Sequence, residues 1–521
     1  MVSKIDDPFS HLVVIHYHWR PGGVRKVIEL TLPAILRSAP RELEKLTLLS
    51  GSPESEHPLI DGLGGRVAIH SAPALDYFSE QSQNPESIGH SIGETLRAVI
   101  PDQDAERTLI WFHNPGLARN AILNQEVMKF CEKSGSTLIL HHHDFWCSGR
   151  WARWQEMERC GWNTLEKAAG ITLGATDRSV QVTINLSDLK SLAGAMGDRV
   201  FHLPNPVVRP KRGSSSRIKN LQKWVEEELQ TTAPLWVCPT RFLRRKNLLE
   251  AILLTRWLRP DAVFVTTSGK ASGDELPYAR MIRDAAEQGG WNVRFGILDK
   301  LGSPRVDEVL RVAEVALLTS VQEGFGMGFV EASACGIPLI ARALPDVMPD
   351  LEAMGFQFPH LYPEVYIAPT LIDISAESHR QIQLRLRAKG ELPSVMSSRF
   401  QPEMIDFEQP IAFSRLTWQG QVEVLNRSPM LAWEACRSLN PVLEKIHSSL
   451  NKLESTPWPV SRIPSPPRYA RAFWKLANVA VQSTPTNADV VLQAQSRLID
   501  RGLCPAAFFP VQAERFYQKP E

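Results

Sequence analysis

The sequence predicts an α/β chain made of two parallel-sheet domains in tandem, followed by a helical extension. Three observations carry this. Short β-rich runs alternate with longer segments of helical period, first between about residues 11 and 196 and again between about 235 and 341. A polar stretch punctuated by prolines separates the two series, and 521 residues exceed what one hydrophobic core usually organises.

In the first series strands are expected near 11–17, 46–50, 66–70, 107–113, 136–142 and 180–186, and helices near 24–38, 88–100, 117–133 and 187–196. In the second, strands fall near 235–239, 262–267, 292–296, 314–319 and 337–341, with helices near 246–258, 277–288, 304–313 and 328–335. This is the punctuation of βαβ units, and it builds Rossmann-like sheets. After Pro204-Asn205-Pro206, the run Arg209-Pro210-Lys211-Arg212-Gly213-Ser214-Ser215-Ser216-Arg217 has nothing to bury and reads as a linker. The expected domains are therefore 1–208 and 218–400, joined by 209–217. Past about 400 the alternation stops, leaving a tail of helices interrupted by the proline-rich Pro457 to Pro467. Two such sheets in tandem can point their strand C-terminal ends into one cleft, where open α/β sheets bind ligands.

Charge narrows the partners. With 58 basic and 57 acidic residues the net charge is +1, so no global field favours nucleic acid or an anionic membrane. The seven cysteines are scattered and form no C-x-x-C pair, which fits a reducing compartment. Asp6, Asp7 and His11 precede a short apolar run, Leu12 to Ile15, too brief for a signal-peptide core, and no stretch reaches the roughly 20 apolar residues of a membrane span. The expectation is a cytoplasmic protein, with peripheral membrane contact left open.

The most informative segment is Glu323-Gly324-Phe325-Gly326-Met327-Gly328-Phe329-Val330-Glu331-Ala332-Ser333-Ala334-Cys335-Gly336-Ile337-Pro338. Its glycines let backbone come close to a ligand, and amides opening a helix near Gly328 can donate to sugar or phosphate oxygens. Glu323 and Glu331, eight residues apart, accept hydrogen bonds only and so suit hydroxyl groups. The plain alternative is a glycine-rich turn with two solvated acids. The whole string resembles the glutamate motif of glycosyltransferase family 4 and its relatives, the group that includes sucrose and trehalose-type synthases. By that resemblance Glu323, with the backbone from Phe325 through Gly326 and Met327 to Gly328, would hold donor-sugar hydroxyls, and Glu331 the ribose of a nucleotide. The fold implied is GT-B, two Rossmann-like domains facing across a cleft.

Upstream, Arg241-Phe242-Leu243-Arg244-Arg245-Lys246 places four positive charges in six residues on a strand-to-helix turn, a pattern that can clamp a diphosphate and neutralise a leaving group. Arg241 and Lys246 match the family's Arg and Lys by position, whereas Arg244 and Arg245 read as solvated. In the first domain Gly22-Gly23 stands where strand one gives way to a helix, either a tight turn or an anion seat. The family carries a similar glycine pair facing diphosphate and acceptor, and Arg20 is a second candidate there.

In His141-His142-His143-Asp144 side chains alternate faces, so the three imidazoles cannot share one site. A metal reading needs His141, His143, an acid such as Asp144 and a further ligand; no metal is assigned. A structural role is the plain outcome, and the family resemblance matches His143-Asp144 to a donor-sugar contact, with His113 as an alternative. Trp146, in a run of aromatic residues and arginines from Phe145 to Trp154, could line an acceptor groove, a core edge or a partner surface.

Elsewhere the resemblance loosens. Pro206 stands where relatives often have glycine, and Ala343-Leu344-Pro345-Asp346 replaces a glycine pair before an acid. Phe413 to Trp418 looks like the family's closing helix, so 401–430 is expected to cross back to the first domain, leaving 431–521 as an extension of unknown role. The expected function is a retaining glycosyltransferase of the hexosyltransferase kind, moving sugar from a nucleotide-diphosphate sugar co-substrate to a hydroxyl acceptor: a glycan, a small molecule or a lipid-linked group. No cofactor is obligatory in that chemistry. One rival is a hydrolase using Glu323 and Glu331, which leaves the cationic turn without a task. The other is a non-catalytic nucleotide-sugar sensor or adaptor, which would bind donor without turnover.

Overall fold

A computed structural model of the chain describes residues 9–20, 22–41, 43–51, 67–210, 213–271, 273–459 and 462–513. Asp6 and Asp7, and Lys211 and Arg212 of the expected linker, lie outside the described residues. The chain divides into two compact units. The first combines residues up to Val207 with Pro464–Gly502, and the second combines Val208–Ile463 with the chain from Leu503 onward.

Among the described residues the first unit carries a seven-stranded sheet: β1 (His11–Ile15), β2 (Lys45–Ser50), β3 (Val67–Ser71), β4 (Thr108–His113), β5 (Thr137–His142), β6 (Ser179–Thr183) and β7 (Val200–His202). The order is β3-β2-β1-β4-β5-β6-β7, and every neighbouring pair is parallel. The second unit has β8 (Leu235–Cys238), β9 (Val263–Thr266), β10 (Val293–Phe295), β11 (Val315–Leu318), β12 (Leu339–Arg342) and β13 (His360–Tyr362), in the order β10-β9-β8-β11-β12-β13, again all parallel. Central strands such as β1, β4, β8 and β11 are continuously buried, as sheets covered on both faces require. Each sheet reverses its winding once, between β1 and β4 in the first unit and between β8 and β11 in the second. Crevices at such points are where doubly wound sheets take ligands.

Helices start where local chemistry allows. Asn84 caps the helix Pro85–Val99 by accepting from the Ser87 amide, and Asn120 caps Ala121–Ser134 by accepting from the Leu123 amide. One face of the first sheet is covered by the helices Pro85–Val99 and Ala121–Ser134 through residues such as Ile88, Ile92, Leu96 and Val127.

The other face corrects an expectation. The helix Trp418–Leu425, inside the 401–430 range read as the return to the first domain, packs on Leu248–Leu258 in the second unit. The return is made at Pro464. Helix Pro466–Val481 lies along Gly23–Arg37 and on β5 and β6, with Phe473 against Trp111 and Trp474 Nε1 donating to the Ile35 carbonyl at 3.0 Å. From helix Ala488–Leu503, Gln495 meets Trp146 and Thr172, and Arg501 pairs with Asp188. Much of the expected extension therefore completes the first core: an amphipathic pattern says that a helix buries a face, without saying which sheet receives it.

Candidate active site

In the second unit β8 ends at Cys238 and the chain turns through Arg241 to Lys246 before helix Leu248–Leu258 begins. The turn is held by backbone bonds, Lys246 N to Leu243 O at 2.9 Å and Asn247 N to Arg244 O at 3.0 Å, and Asn247 closes it in the left-handed region at φ 47°. Asparagine tolerates that conformation better than most residues. Because β11 is the sheet neighbour of β8, its C-terminal loop runs alongside: Val321 N donates to Arg245 O at 2.8 Å, and Thr319 Oγ1 donates to the carbonyls of Lys246 and Asn247.

This brings Glu323 onto the cationic turn. Its carboxylate accepts from Arg245 at 2.5 Å, from Lys246, and from Ser320 Oγ at 2.7 Å, with its side chain 11% exposed. Burial pushes the Glu323 carboxyl upward, but Arg245 and Lys246 outweigh it and hold the group at about 2. Arg245, read from sequence as a solvated charge, instead joins Lys246 on Glu323; its distinguishing signal was adjacency to Lys246 on a strand-to-helix turn. Arg244 is also not solvated. It is buried and paired with Glu275 at 2.9 Å. Arg241 is exposed at the start of the turn.

After Glu323 the helix Met327–Cys335 opens at Gly326, whose φ of 84° favours glycine and whose missing Cβ would lie 2.5 Å from Val347. A Cβ on Gly328 would meet Leu318 of β11 at 2.8 Å, so the small residue seats the helix on the sheet. Phe325 is buried, Met327 is half-buried at the first helical position, and Glu331 is half-buried one turn along. The first N–H groups of such a helix lack partners within it.

In the first unit the groups after β1, β4 and β5 gather at that sheet's reversal point. Gly22, the residue before helix Gly23–Arg37, has an extended backbone (φ 175°) that any residue adopts. A Cβ on Gly23 would meet nothing within 4 Å, and one on Gly22 only the Arg20 carbonyl at 3.8 Å. Among the described residues neither glycine is required by packing, and both are exposed. Arg20 is bound to Glu80 and Asp76, which neutralise it.

His143 is buried, with Nε2 3.0 Å from His113 Nδ1 and its amide donating to Asn114 Oδ1 at 3.2 Å. Burial lowers it to about 4, against the upward pull of Asp144, so it is neutral at physiological pH. His142 faces the other way, toward Gln181 and the Gly116 amide, as strand alternation requires. Ring nitrogens of His113, His141 and His143 lie within 4.8 Å of one another. Asp144, the acid a metal reading invoked, pairs with Arg150 at 3.0 Å, and Trp111 donates to His141 Nδ1 at 3.1 Å. The neutral His141 ring then carries its proton on Nε2, which removes that nitrogen as a ligand.

Of the three places open to Trp146, an acceptor groove, a core edge or a partner surface, the structure gives the core edge. Trp146 is fully buried among Trp151, Trp154 and Gln495, donating from Nε1 to Gln495 Oε1 at 3.3 Å. The aromatic run is a core edge, because the carboxy-terminal helices cover it. No helix among the described residues is long and apolar enough to cross a membrane.

Residues 222–359 match the family described as glycosyl transferases group 1. The chain is 25% identical over 423 residues to the mannosylglucosyl-3-phosphoglycerate synthase of Petrotoga mobilis, covering 76% of this chain and 78% of that one. Its fold is similar to those of the sucrose-phosphate synthase of Thermosynechococcus elongatus (TM-score 0.50, 14% identity, 90% of this chain and 98% of that one) and of the N-terminal domain of Candida albicans trehalose-6-phosphate phosphatase (TM-score 0.51, 12% identity, 90% and 97%). The region that carries the cationic turn and both glutamates is a glycosyl transferases group 1 domain, and the chain is a glycosyltransferase with the two parallel-sheet domains of the GT-B fold.

Proposed function

We propose that this glycosyltransferase is of the family 4 type and moves a hexosyl group, with retention of anomeric configuration, from a nucleoside-diphosphate sugar to a hydroxyl group. The observation that carries the reading is the convergence of Arg245, Lys246 and Glu323 at the reversal point of the second sheet, beside the helix opening at Gly326. Two cations on a braced turn suit a departing diphosphate, and Arg241 adds a third, exposed one. Glu323, kept ionised by those cations, is an acceptor for sugar hydroxyls, as the amides near Phe325, Met327 and Gly328 are donors; Glu331 is assigned the ribose. In the first unit His143 contributes a neutral imidazole, and Gly22 and Gly23 contribute exposed backbone at a helix opening.

The bond from the anomeric carbon to the diphosphate oxygen breaks through an oxocarbenium-like transition state. The acceptor oxygen bonds to that carbon from the same face, and its proton passes to the departing diphosphate. No side-chain nucleophile and no cofactor is required by this route. The Petrotoga relative is by its name a synthase of a glycosylated phosphoglycerate, so small phosphorylated hydroxyl compounds head the acceptors to screen. The setting is expected to be cytoplasmic.

The test is turnover of Lys246→Ala across UDP, GDP and ADP sugars. Loss on the order of 10²-fold in kcat is expected for an electrostatic stabiliser of the leaving group. Near-normal turnover, or release of sugar from a simple glycoside with no nucleotide present, overturns the reading.

A further inference from the structure

Behind the cationic turn lies a buried polar cluster joined to it through Asn247. Glu250, in the first turn of helix Leu248–Leu258, is fully buried, as is Asn247. One carboxylate oxygen of Glu250 accepts from Tyr362 Oη at 2.6 Å; the other accepts from Asn247 Nδ2 at 2.9 Å and from Arg342. Arg342, itself buried, is shared with Glu364, which also accepts from Ser414 Oγ at 2.7 Å. The members come from the start of helix Leu248–Leu258 and the residue before it, from the ends of β12 and β13, from Glu364 just after β13 and from Ser414.

Such a cluster is expensive. Apolar residues of similar volume commonly hold a fold as well as a buried ion pair does, so stability alone is a weak reason for it. Its placement supplies another reason. Asn247 directly follows Lys246 and has the left-handed backbone that ends the turn, and its side chain is anchored by Glu250. On the opposite side Thr319 grips the carbonyls of both Lys246 and Asn247. The turn is therefore pinned at its backbone by the loop after β11 and at its terminal side chain by Glu250.

We propose that Glu250 is a positioning residue for sugar transfer: acting through Asn247, and held by Arg342 and Tyr362, it fixes Lys246 and Arg245 where they meet the diphosphate of the donor. This rests on the cationic turn being the diphosphate site. Electrostatic stabilisation of a leaving group depends on cations that do not reorganise during reaction, and a misplacement of about 1 Å is enough to cost on the order of 10²-fold in rate.

The experiment exchanges the two partners. Asn247→Asp sets a carboxylate against Glu250, Glu250→Gln removes the charge, and the double variant restores one amide and one carboxylate in reversed positions. Each full-length variant is assayed at pH 8, above the value of about 7 to which burial raises Glu250, for kcat, donor KM and calorimetric affinity for whichever of UDP, GDP and ADP the wild type binds, alongside its thermal midpoint. Asn247→Asp is expected to lose at least tenfold in nucleotide affinity and in kcat, and the double variant to recover most of both. Glu250→Gln is expected to lose kcat and nucleotide affinity with a thermal midpoint within a few degrees of wild type. Unchanged affinity in Glu250→Gln, or no recovery in the double variant when its thermal midpoint is normal, overturns the proposal. Lys246→Ala separates the two ideas: if it leaves nucleotide affinity and kcat intact, the cationic turn itself is misassigned.

Discussion

Replacing Glu323 by glutamine tests the electrostatics of the site without any substrate. A carboxyl that titrates near 4.5 when unfolded and at about 2 in the folded chain contributes roughly 3 kcal/mol at neutral pH. Its folded value is depressed, so that contribution is complete above about pH 5 and is lost as the pH falls toward 2. With the Arg245 side chain 26% exposed and that of Lys246 13%, solvent screening reduces the expectation to about 2 kcal/mol. Glu323→Gln should therefore open more easily than wild type by about 2 kcal/mol at pH 6, and by only about 1 kcal/mol at pH 3.5, where the wild-type contribution is partly spent. Urea-dependent hydrogen exchange of peptides covering 235–258 reads this locally, without assuming that both units unfold together. A gap that stays constant between pH 6 and pH 3.5 refutes the assignment of the stability to Glu323 ionisation. A variant as stable as wild type at pH 6 refutes the pairing itself.

Other consequences follow from the same geometry. Trp474→Ala removes a large, nearly buried side chain that joins the carboxy-terminal helices to the first core, and should cost that unit about 3–5 kcal/mol in urea unfolding while peptides of the second unit exchange as in wild type. Gly326→Ala, at φ 84° and 2.5 Å from Val347, should destabilise the second unit by at least about 1 kcal/mol and impair turnover; an unperturbed enzyme would show that the helix opening is looser than described. Burial raises the Glu250 carboxyl to about 7 despite Arg342. A raised folded value means stability that is lost as the pH rises from about 4.5 through 7, so the thermal midpoint of Glu250→Gln relative to wild type should climb between pH 5 and pH 8. His143, lowered to about 4 by burial, should show no imidazole titration in proton NMR between pH 5.5 and pH 8, and a midpoint near 6.5 would place it in solvent.

How much of this was legible in the sequence depended on range. The alternation that builds β1 to β6 and β8 to β12 is local, and strands such as β1, β4, β8 and β11 are largely apolar runs, so the two sheets could be read directly. The glutamate motif and the cationic turn were legible as types of chemistry, but their meeting was not. Residues 245 and 246 reach 323 only because β11 is laid beside β8 when the sheet reverses its winding, a consequence of strand order that no spacing encodes. The same limit explains why the sequence left three places open for Trp146. Trp146 has the sequence context of a surface aromatic among arginines, and it is interior because Gln495, more than three hundred residues later, returns to cover it. Glu250 shows the limit most plainly. Between two leucine pairs and an alanine-isoleucine step, an acid on a helix looks like a solvated face, and only the arrival of Arg342 and Tyr362 from β12 and β13 makes it the buried anchor of Asn247. The candidate site residues were legible from their local pattern, whereas those that hold them in place depend on which strands become neighbours.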